Sequence, residues 1–181
     1  MSDIFKRNQY IFSRSLLRLI LSKFFKRPPL SFNILLSKDG KPFLDSRLLF
    51  FNISHSDSYL GILFSNASEV GLDLQKFRPI TNLSSLIRRF FHPLEIDFLL
   101  SSPDMEGEFF RLWTLKEAYV KCLGHGISYG FHNFHCLNDQ VTDPKMDTVF
   151  YLSYFCLSNL HIGFSTSVSH LFLYQDSPPL L

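Results

Sequence analysis

The stretch Val70–Lys76 constrains the fold of this chain most, because apolar and polar side chains alternate along its seven residues. This alternation has the period of a half-buried β-strand. Asp73 and Gln75 are predicted on one face of the strand, and Leu72 and Leu74 on the other. We expect the rest of the chain to be organised around this strand and around the helix that its polar face meets.

That helix is predicted over residues 109–123, where Gly124 ends it. At helical spacing, Trp113, Glu117 and Lys121 share one face. An acidic strand residue that faces a helix carrying Glu and Lys can form a divalent-cation site that handles phosphates. Each residue also has a simpler explanation: Glu117 and Lys121 form a routine i,i+4 pair worth about 0.2–0.5 kcal/mol, and Trp113 is more often core packing.

Length and composition favour one domain of ordinary size, or two small halves that share a core, since the chain has 181 residues and is 46% hydrophobic. The net charge of +2 gives no general argument for nucleic-acid binding. The charge is uneven, however, because residues 6–41 carry nine Lys or Arg and a single acid, Asp39. This imbalance favours an anionic ligand near the N-terminal quarter. A basic surface for nucleic acid is the weaker alternative.

The three cysteines, Cys122, Cys136 and Cys156, are odd in number and widely spaced, so they fit neither a disulfide framework nor a zinc pattern. We expect buried free thiols in a reducing compartment. No signal peptide is visible, and the apolar run at 16–25 is interrupted by charges and too short to span a bilayer. The sequence therefore predicts a cytoplasmic protein without membrane contact.

The remaining periodicities predict mixed helices and strands, with a change from one half to the next at 65–68. The first helix, over 8–26, carries an apolar stripe that includes Ile11, Phe12 and Leu19. The other predicted helices cover 83–91 and 93–100. The other predicted strands cover 30–36, 48–53, 59–64, 131–137, 148–155 and 161–168. The C-terminal residues 177–179 are predicted to be frayed.

Four sequence blocks follow one another in a fixed order. They are Gly-Lys-Pro at 40–42, Asn-Ile-Ser-His-Ser at 52–56, Gly-Leu-Asp at 71–73 and Trp-Thr-Leu-Lys-Glu-Ala-Tyr-Val-Lys at 113–121. In this order and spacing the chain resembles the 4′-phosphopantetheinyl transferases, of the larger, monomeric type that activates surfactin synthetase. Each block alone is a weak signal, and the ordered set is a specific one.

The resemblance implies an α+β fold of two similar α/β halves related by a pseudo-twofold axis, with the active site in the cleft between them. Residues 1–68 would supply contacts to the adenosine and phosphate groups of coenzyme A, and residues 69–181 the metal and catalytic residues. The implied reaction moves the 4′-phosphopantetheine arm of coenzyme A to a serine of an apo acyl or peptidyl carrier protein and leaves 3′,5′-ADP. The implied partners are coenzyme A and the carrier protein, with no nucleic acid.

The resemblance also assigns roles to individual residues. Asp73 and Glu117 match two carboxylate ligands of Mg²⁺, for which Mn²⁺ is an alternative. Glu117, or a water that it orients, would be the general base, and Lys121 would contact the pyrophosphate. Lys116 would assist catalysis. The residues expected to hold the nucleotide and phosphates of coenzyme A are Lys41, Ser54, His55 and, by general position among the N-terminal arginines, Arg14.

Two positions depart from the family pattern. Many relatives carry a glutamate where this chain has Gln75, so the metal site would lose one negative charge, although an amide oxygen can still serve as a ligand or hold a ligand water. His125 stands where relatives often have a lysine between two glycines. The alternative to an active transferase is a homologue that binds coenzyme A or a carrier protein without turnover.

Overall fold

The structure is a computed structural model that describes residues 3–168, and it confirms the predicted α+β class. The helices are α1 (Asp3–Phe25), α2 (Leu83–Phe90), α3 (Pro93–Ser101) and α4 (Met105–Leu123). The strands are β1 (Ile34–Leu36), β2 (Pro42–Leu44), β3 (Phe50–Ser56), β4 (Tyr59–Ser65), β5 (Val70–Lys76), β6 (Gln140–Val141), β7 (Phe150–Leu157) and β8 (Leu160–Thr166). Short 3₁₀ turns lie at Pro29–Ser31, Ile127–Tyr129 and Phe131–Asn133.

The strand predicted as the organising element is confirmed as β5, an edge of the antiparallel sheet β5-β8-β7-β6. Helix α4 packs over one face of this sheet. The close approach depends on two glycines, because a Cβ on Gly71 would lie 1.8 Å from the carbonyl oxygen of Ala118, and one on Gly163 would lie 2.9 Å from that of Thr114. Asp73 is the register partner of Gly163. The missing side chains therefore allow α4 to lie directly over Asp73.

The opposite face of β5 is also covered, so the prediction of a half-buried strand is wrong. Leu72 and Leu74 pack with Leu63 of β4 in an apolar cluster. They also lie over Gly61 of β4, where an added Cβ would come within 2.9 Å of the Leu72 side chain. Asp73, on the α4 face, is only 3% exposed. A carboxylate in such a position needs compensating partners.

Strand β3 meets β5 through a ladder of side chains in place of a backbone ladder. Asn52 Oδ1 accepts from the Leu72 amide at 3.0 Å, Ser54 Oγ from the Leu74 amide at 3.1 Å and Ser56 Oγ from the Lys76 amide at 2.9 Å. The other edge of β5 pairs with β8. The first half of the chain is thus joined to the second by three alternate residues of β3, which satisfy N–H groups that a sheet edge would otherwise leave unpaired.

Helix α1 ends close to its predicted end but begins five residues before its predicted start, and its buried face was predicted wrongly. The residues that face the protein are Ser13, Leu17 and Leu21, and the last two pack with Phe32 and Phe51. The predicted stripe members Ile11, Phe12, Leu19 and Phe24 are exposed. Because apolar residues surround most of this helix, periodicity alone could not select the buried face.

The predicted strand at 131–137 is also wrong. Phe131 starts a 3₁₀ turn, and Phe131 and Phe134 both enter the core, where Phe134 packs edge-on against Tyr119. Their spacing of three residues belongs to a turn, whereas the sequence only showed aromatic enrichment. The predicted frayed segment lies outside the described residues. No helix in the described part of the chain combines the length and apolarity that crossing a membrane requires.

Candidate active site

Asp73 lies at the centre of a cluster that joins β3, β5 and α4. Its Oδ1 accepts hydrogen bonds from Lys121 Nζ at 2.5 Å and from Ser54 Oγ at 3.1 Å. Its Oδ2 accepts from Gln75 Nε2 at 2.9 Å. Three donors, one of them a cation, offset the desolvation of this buried carboxylate. The predicted proximity of the Asp73 strand and the Lys121 helix is therefore correct.

Glu117 supplies a second carboxylate, one helical turn before Lys121. Burial and, to a smaller extent, the nearby charge of Asp73 raise the pKa of Glu117, Lys121 lowers it, and together they bring it to about 7. Among residues 3–168, no hydrogen bond or ion pair engages the Glu117 carboxylate. The site therefore holds two mutually repelling carboxylates, one of them with free oxygen atoms.

This donor set fits a hard divalent cation. Mg²⁺ takes oxygen ligands and is often held by one or two carboxylates together with water and substrate phosphates. Asp73 and Glu117 supply the carboxylates, and the Gln75 amide adjoins Asp73. Within the described ranges no group of three or more His, Cys, Asp or Glu side chains is placed to hold a metal ion. A cation bound here would thus complete its coordination with water or with a ligand.

His55 lies on β3 and projects away from the interior that Ser54 occupies. Its ring is exposed on one side, yet partial burial and then the charge of Lys121 lower its pKa. The ring lines a cavity of about 690 Å³ together with Gln75, Tyr10 and Phe110. A neutral imidazole at this wall can donate one hydrogen bond and accept another.

A second cavity, of about 200 Å³, adjoins the cluster on its other side. Lys121 lines it with Gly40, Asn52, Gly124 and His125. The His125 ring bonds Asp39 with 2.9 Å between Nδ1 and Oδ2, which ties the β1–β2 turn to the end of α4.

Lys41, predicted to bind the nucleotide, is engaged inside the protein. Its Nζ donates to Glu69 Oε2 at 2.7 Å, to the Val70 carbonyl at 3.2 Å and to the Cys122 carbonyl at 2.9 Å. All three ammonium hydrogens thus have acceptors, and one of these is at the negative end of α4. Lys41 borders the smaller cavity and there joins the start of β2 to β5 and to the end of α4.

Lys116, predicted to assist catalysis, does not join the cluster, and that prediction is corrected. Its side chain is 0% exposed. Its Nζ donates to Glu95 Oε2 and to the Phe134 carbonyl, both at 2.6 Å. Glu95 Oε1 in turn accepts from the Cys136 amide at 2.7 Å. Lys116 is a buried structural cation, one residue along α4 from Glu117 and therefore directed away from it.

Ser54 and Arg14 do not present free groups in the way that the sequence suggested. The Ser54 hydroxyl is 2% exposed and is bonded to Asp73, Lys121 and the Leu74 amide. Arg14 has its guanidinium 5.2 Å from the centre of the Tyr10 ring, and its buried Nη1 finds no hydrogen-bond acceptor among residues 3–168. A contact of either residue with coenzyme A stays a prediction.

Sequence reasoning missed the role of Asn52 and Ser56 in the side-chain ladder and of Glu95 in neutralising Lys116. The role of Asn52 and Ser56 had a visible signal, because hydrogen-bonding side chains recur at every second residue, 52, 54 and 56, along strand β3. The role of Glu95 had none, since Glu95 and Lys116 are 21 residues apart and meet only through the packing of α3 on α4.

Comparison with known proteins identifies the family. Residues 69–169 match the model of the 4′-phosphopantetheinyl transferase superfamily. The chain is 38% identical over 128 residues to 4′-phosphopantetheinyl transferase HetI of Nostoc sp. strain PCC 7120. The matched residues make up 67% of this chain and 54% of that protein. It is 34% identical over 154 residues to the putative 4′-phosphopantetheinyl transferase slr0495 of Synechocystis sp. strain PCC 6803, covering 81% and 59% of the two chains.

A third relative is 4′-phosphopantetheinyl transferase psf-1 of Bacillus pumilus, which is 39% identical over 99 residues that make up 53% of this chain and 41% of that protein. The chain thus spans about half the length of the curated relatives that it matches. The match to the family model covers more than half of the chain, begins at the residue before β5, and includes the strand of Asp73 and the helix of Glu117. The chain belongs to the 4′-phosphopantetheinyl transferase superfamily.

Proposed function

We propose that this protein transfers the 4′-phosphopantetheine arm of coenzyme A to a serine hydroxyl of an apo acyl or peptidyl carrier protein. The observation that carries the proposal is the cluster in which Asp73 and Lys121 meet at 2.5 Å beside the unpartnered carboxylate of Glu117. A buried acid, a cation and a free base at one point are the groups that phosphoryl transfer from a pyrophosphate requires.

In the proposed reaction, the serine oxygen of the carrier attacks the phosphorus that bears pantetheine. A new oxygen–phosphorus bond forms, and the bond between that phosphorus and the bridging oxygen of the pyrophosphate breaks. The serine proton moves to Glu117, directly or through a water, and the bridging electron pair leaves with 3′,5′-ADP. A general base is most effective when its pKa is near the working pH, and before a cation binds, burial and the charge of Asp73 raise the pKa of Glu117 to about 7.

Lys121 is the residue that stabilises the leaving group in this proposal. Its side chain is partly exposed and lines the smaller cavity, so its ammonium can contact a bound phosphate while it stays near Asp73. The positive charge offsets the negative charge that develops on the leaving oxygen. His55, on the wall of the larger cavity, is placed to donate a hydrogen bond to a phosphate oxygen.

Asp73 and Glu117 are the proposed ligands of Mg²⁺ or Mn²⁺, and Gln75 is a further candidate. Such a cation supplies charge neutralisation of the pyrophosphate when it is bound.

The proposed site draws on both halves of the chain, since His55 comes from residues 1–68 and the carboxylates from 69–181. All of these residues come from one polypeptide, so we propose that the protein acts as a monomer. The buried free thiols of Cys122 and Cys136 suit the reducing cytoplasm.

The experiment that tests the function combines the purified protein with coenzyme A, Mg²⁺ and a panel of apo carrier proteins, and measures intact masses. At least one carrier should gain the mass of the arm. Glu117→Gln should abolish the gain, whereas Glu108→Gln, on the same helix but paired with Arg111, should retain it. Binding of coenzyme A by calorimetry, with no mass gain under any divalent metal, would support a non-catalytic homologue instead.

A further inference from the structure

We infer that Ser54 is a positioning residue for the proposed transfer, acting through Asp73 and Lys121 and not through coenzyme A. The inference rests on the proposed function for its kinetic consequence, but its structural content is independent of it. The hydroxyl lies where β3, β5 and α4 meet, and it contacts one side chain and one backbone group of β5 and one side chain of α4.

The bonding capacity of the hydroxyl is fully used. A serine hydroxyl has one hydrogen to donate and two lone pairs to accept. The hydrogen goes to Asp73 Oδ1 at 3.1 Å, and the lone pairs accept from the Leu74 amide at 3.1 Å and from Lys121 Nζ at 2.9 Å. No hydrogen is left for a phosphate, and the residue is 2% exposed.

The amide of Leu74 makes this arrangement rigid. The amide belongs to the central residue of the side-chain ladder, so the position of Ser54 Oγ relative to β5 is set by the backbone. The hydroxyl thereby fixes both Asp73 Oδ1 and Lys121 Nζ, which are 2.5 Å apart. A charged pair held in advance at the reacting position does not have to be ordered during the reaction.

Ser56 provides a matched control for kcat, because its Oγ makes the same kind of bond and that bond involves neither Asp73 nor Lys121, although Ser56 also borders the larger cavity. Its Oγ accepts from the Lys76 amide at 2.9 Å, two residues further along the same ladder. Ser54→Ala and Ser56→Ala each remove one rung between β3 and β5, yet only Ser54→Ala also releases Asp73 and Lys121. Hydrogen exchange at the Leu74 and Lys76 amides verifies that each rung is lost.

The kinetic test measures kcat and the KM for coenzyme A with a carrier that the wild-type protein modifies. Ser54→Ala should lower kcat about 10- to 100-fold with KM changed less than threefold, and Ser54→Thr, which keeps the hydroxyl, should recover most of the rate. Ser56→Ala should change kcat less than threefold, and the comparison uses kcat alone because Ser56 also borders the larger cavity. A higher KM at unchanged kcat in Ser54→Ala would show direct contact with coenzyme A, and equal losses in the two alanine variants would show a structural role alone; both results overturn the inference.

Two further measurements keep the test decisive. If Ser54→Ala does not fold, Ser54→Cys preserves the size of the side chain with a much weaker hydrogen-bonding group and should show the same kinetic split. If the wild-type protein modifies no carrier, the proposed function fails, and ¹H–¹⁵N spectra of the lysine ammonium groups test the positioning itself. Faster proton exchange at Lys121 in the Ser54 variant than in Ser56→Ala supports the inference, and equal exchange rates overturn it.

Discussion

Lys121 Nζ lies 2.5 Å from Asp73 Oδ1, although the two residues are 48 positions apart in the chain. Lys121 belongs to helix α4 and Asp73 to strand β5. The pair forms because Gly71 and Gly163 let α4 approach β5 and β8 closely enough for a lysine in the last turn of the helix to reach a strand carboxylate. The two partners differ in solvent exposure, since Asp73 is buried and the Lys121 side chain is partly exposed.

Lys121→Ala should abolish most transfer and also destabilise the protein. The leaving phosphate would lose its cation, which should cost about 100-fold or more in kcat. Asp73 would keep only Ser54 and Gln75 as donors, so the free energy of unfolding should fall by about 1–3 kcal/mol. Urea unfolding and the carrier mass assay measure the two effects separately. The double variant Lys121→Met with Asp73→Asn should regain stability without regaining activity, and recovery of activity would contradict the assigned role.

Lys116→Met is expected to affect stability and not the chemical step. Removing one partner of a fully buried ion pair leaves Glu95 uncompensated, which typically costs about 3–5 kcal/mol. Glu95 also accepts from the Cys136 and His92 amides, so it cannot move away to water. Thermal unfolding should shift down strongly, while kcat per folded molecule at low temperature stays within a few-fold. A fully stable but inactive Lys116→Met protein would restore Lys116 to the catalytic residues.

The contrast between Lys121 and Lys116 shows how far the sequence could lead. Helical spacing correctly placed Glu117 and Lys121 on one face, and alternation correctly placed Asp73 opposite them. Lys116 lay in the same motif, and the motif alone could not tell a substrate contact from a buried partner of Glu95. That distinction depends on which face of α4 meets α3, and the long-range packing that decides it has no local sequence signal.

The same limit applies to β3. The motif around His55 was predicted as part of the site, and strand alternation directs Ser54 inward and His55 outward. Only the structure shows that the inward residues bond the edge of β5 and that His55 faces the larger cavity. Lys41 is similar: its block was recognised from the sequence, while its three acceptors come from segments that are distant in the chain.

Gly71→Ala tests the packing that creates the site. The added Cβ would lie 1.8 Å from the Ala118 carbonyl oxygen, a backbone atom that can move only if α4 moves. We expect a loss of about 1–3 kcal/mol or more, together with loss of transfer because Lys121 is displaced from Asp73. Gly126→Ala is the control, since a Cβ there meets nothing within 4 Å. Similar urea midpoints and activities for the two variants would show that the close approach of α4 is not required.

Acid should weaken the fold through His135. Burial and then the neighbouring His92 lower its pKa below 6.5, Glu95 acts in the opposite sense, and Lys116 lowers it further. Because the unfolded state binds the proton first, stability is fully present above about pH 6.5 and falls as the pH drops below that value. The slope from one histidine is at most about 1.4 kcal/mol per pH unit.

Urea unfolding of the wild-type protein and of His135→Phe at pH 7.5 and 5.5 measures this contribution. The phenylalanine ring cannot titrate, so the variant should lose less stability between the two pH values. His132→Phe, the same substitution at a nearby exposed histidine, serves as the control. Equal losses in wild-type and His135→Phe proteins would assign the acid sensitivity to other groups.

Gln75→Glu should strengthen metal binding, because it places a third carboxylate beside Asp73 and Glu117. In the present structure the Gln75 amide nitrogen donates to Asp73 Oδ2 at 2.9 Å, and the substitution exchanges this bond for a repulsion that a divalent cation relieves. The Mg²⁺ concentration for half-maximal transfer should fall about tenfold, which corresponds to about 1.4 kcal/mol. In the presence of a chelator the variant should unfold at a lower temperature than the wild-type protein, and Mg²⁺ should remove that difference.

Gln140→Glu, on the exposed edge strand β6, adds the same charge away from the site and should change neither quantity. If Gln75→Glu leaves the Mg²⁺ requirement unchanged yet still lowers the chelated unfolding temperature, residue 75 contacts Asp73 only and does not face the cation. The metal would then be held by Asp73 and Glu117 alone. The two measurements therefore decide whether this strand contributes one ligand or two.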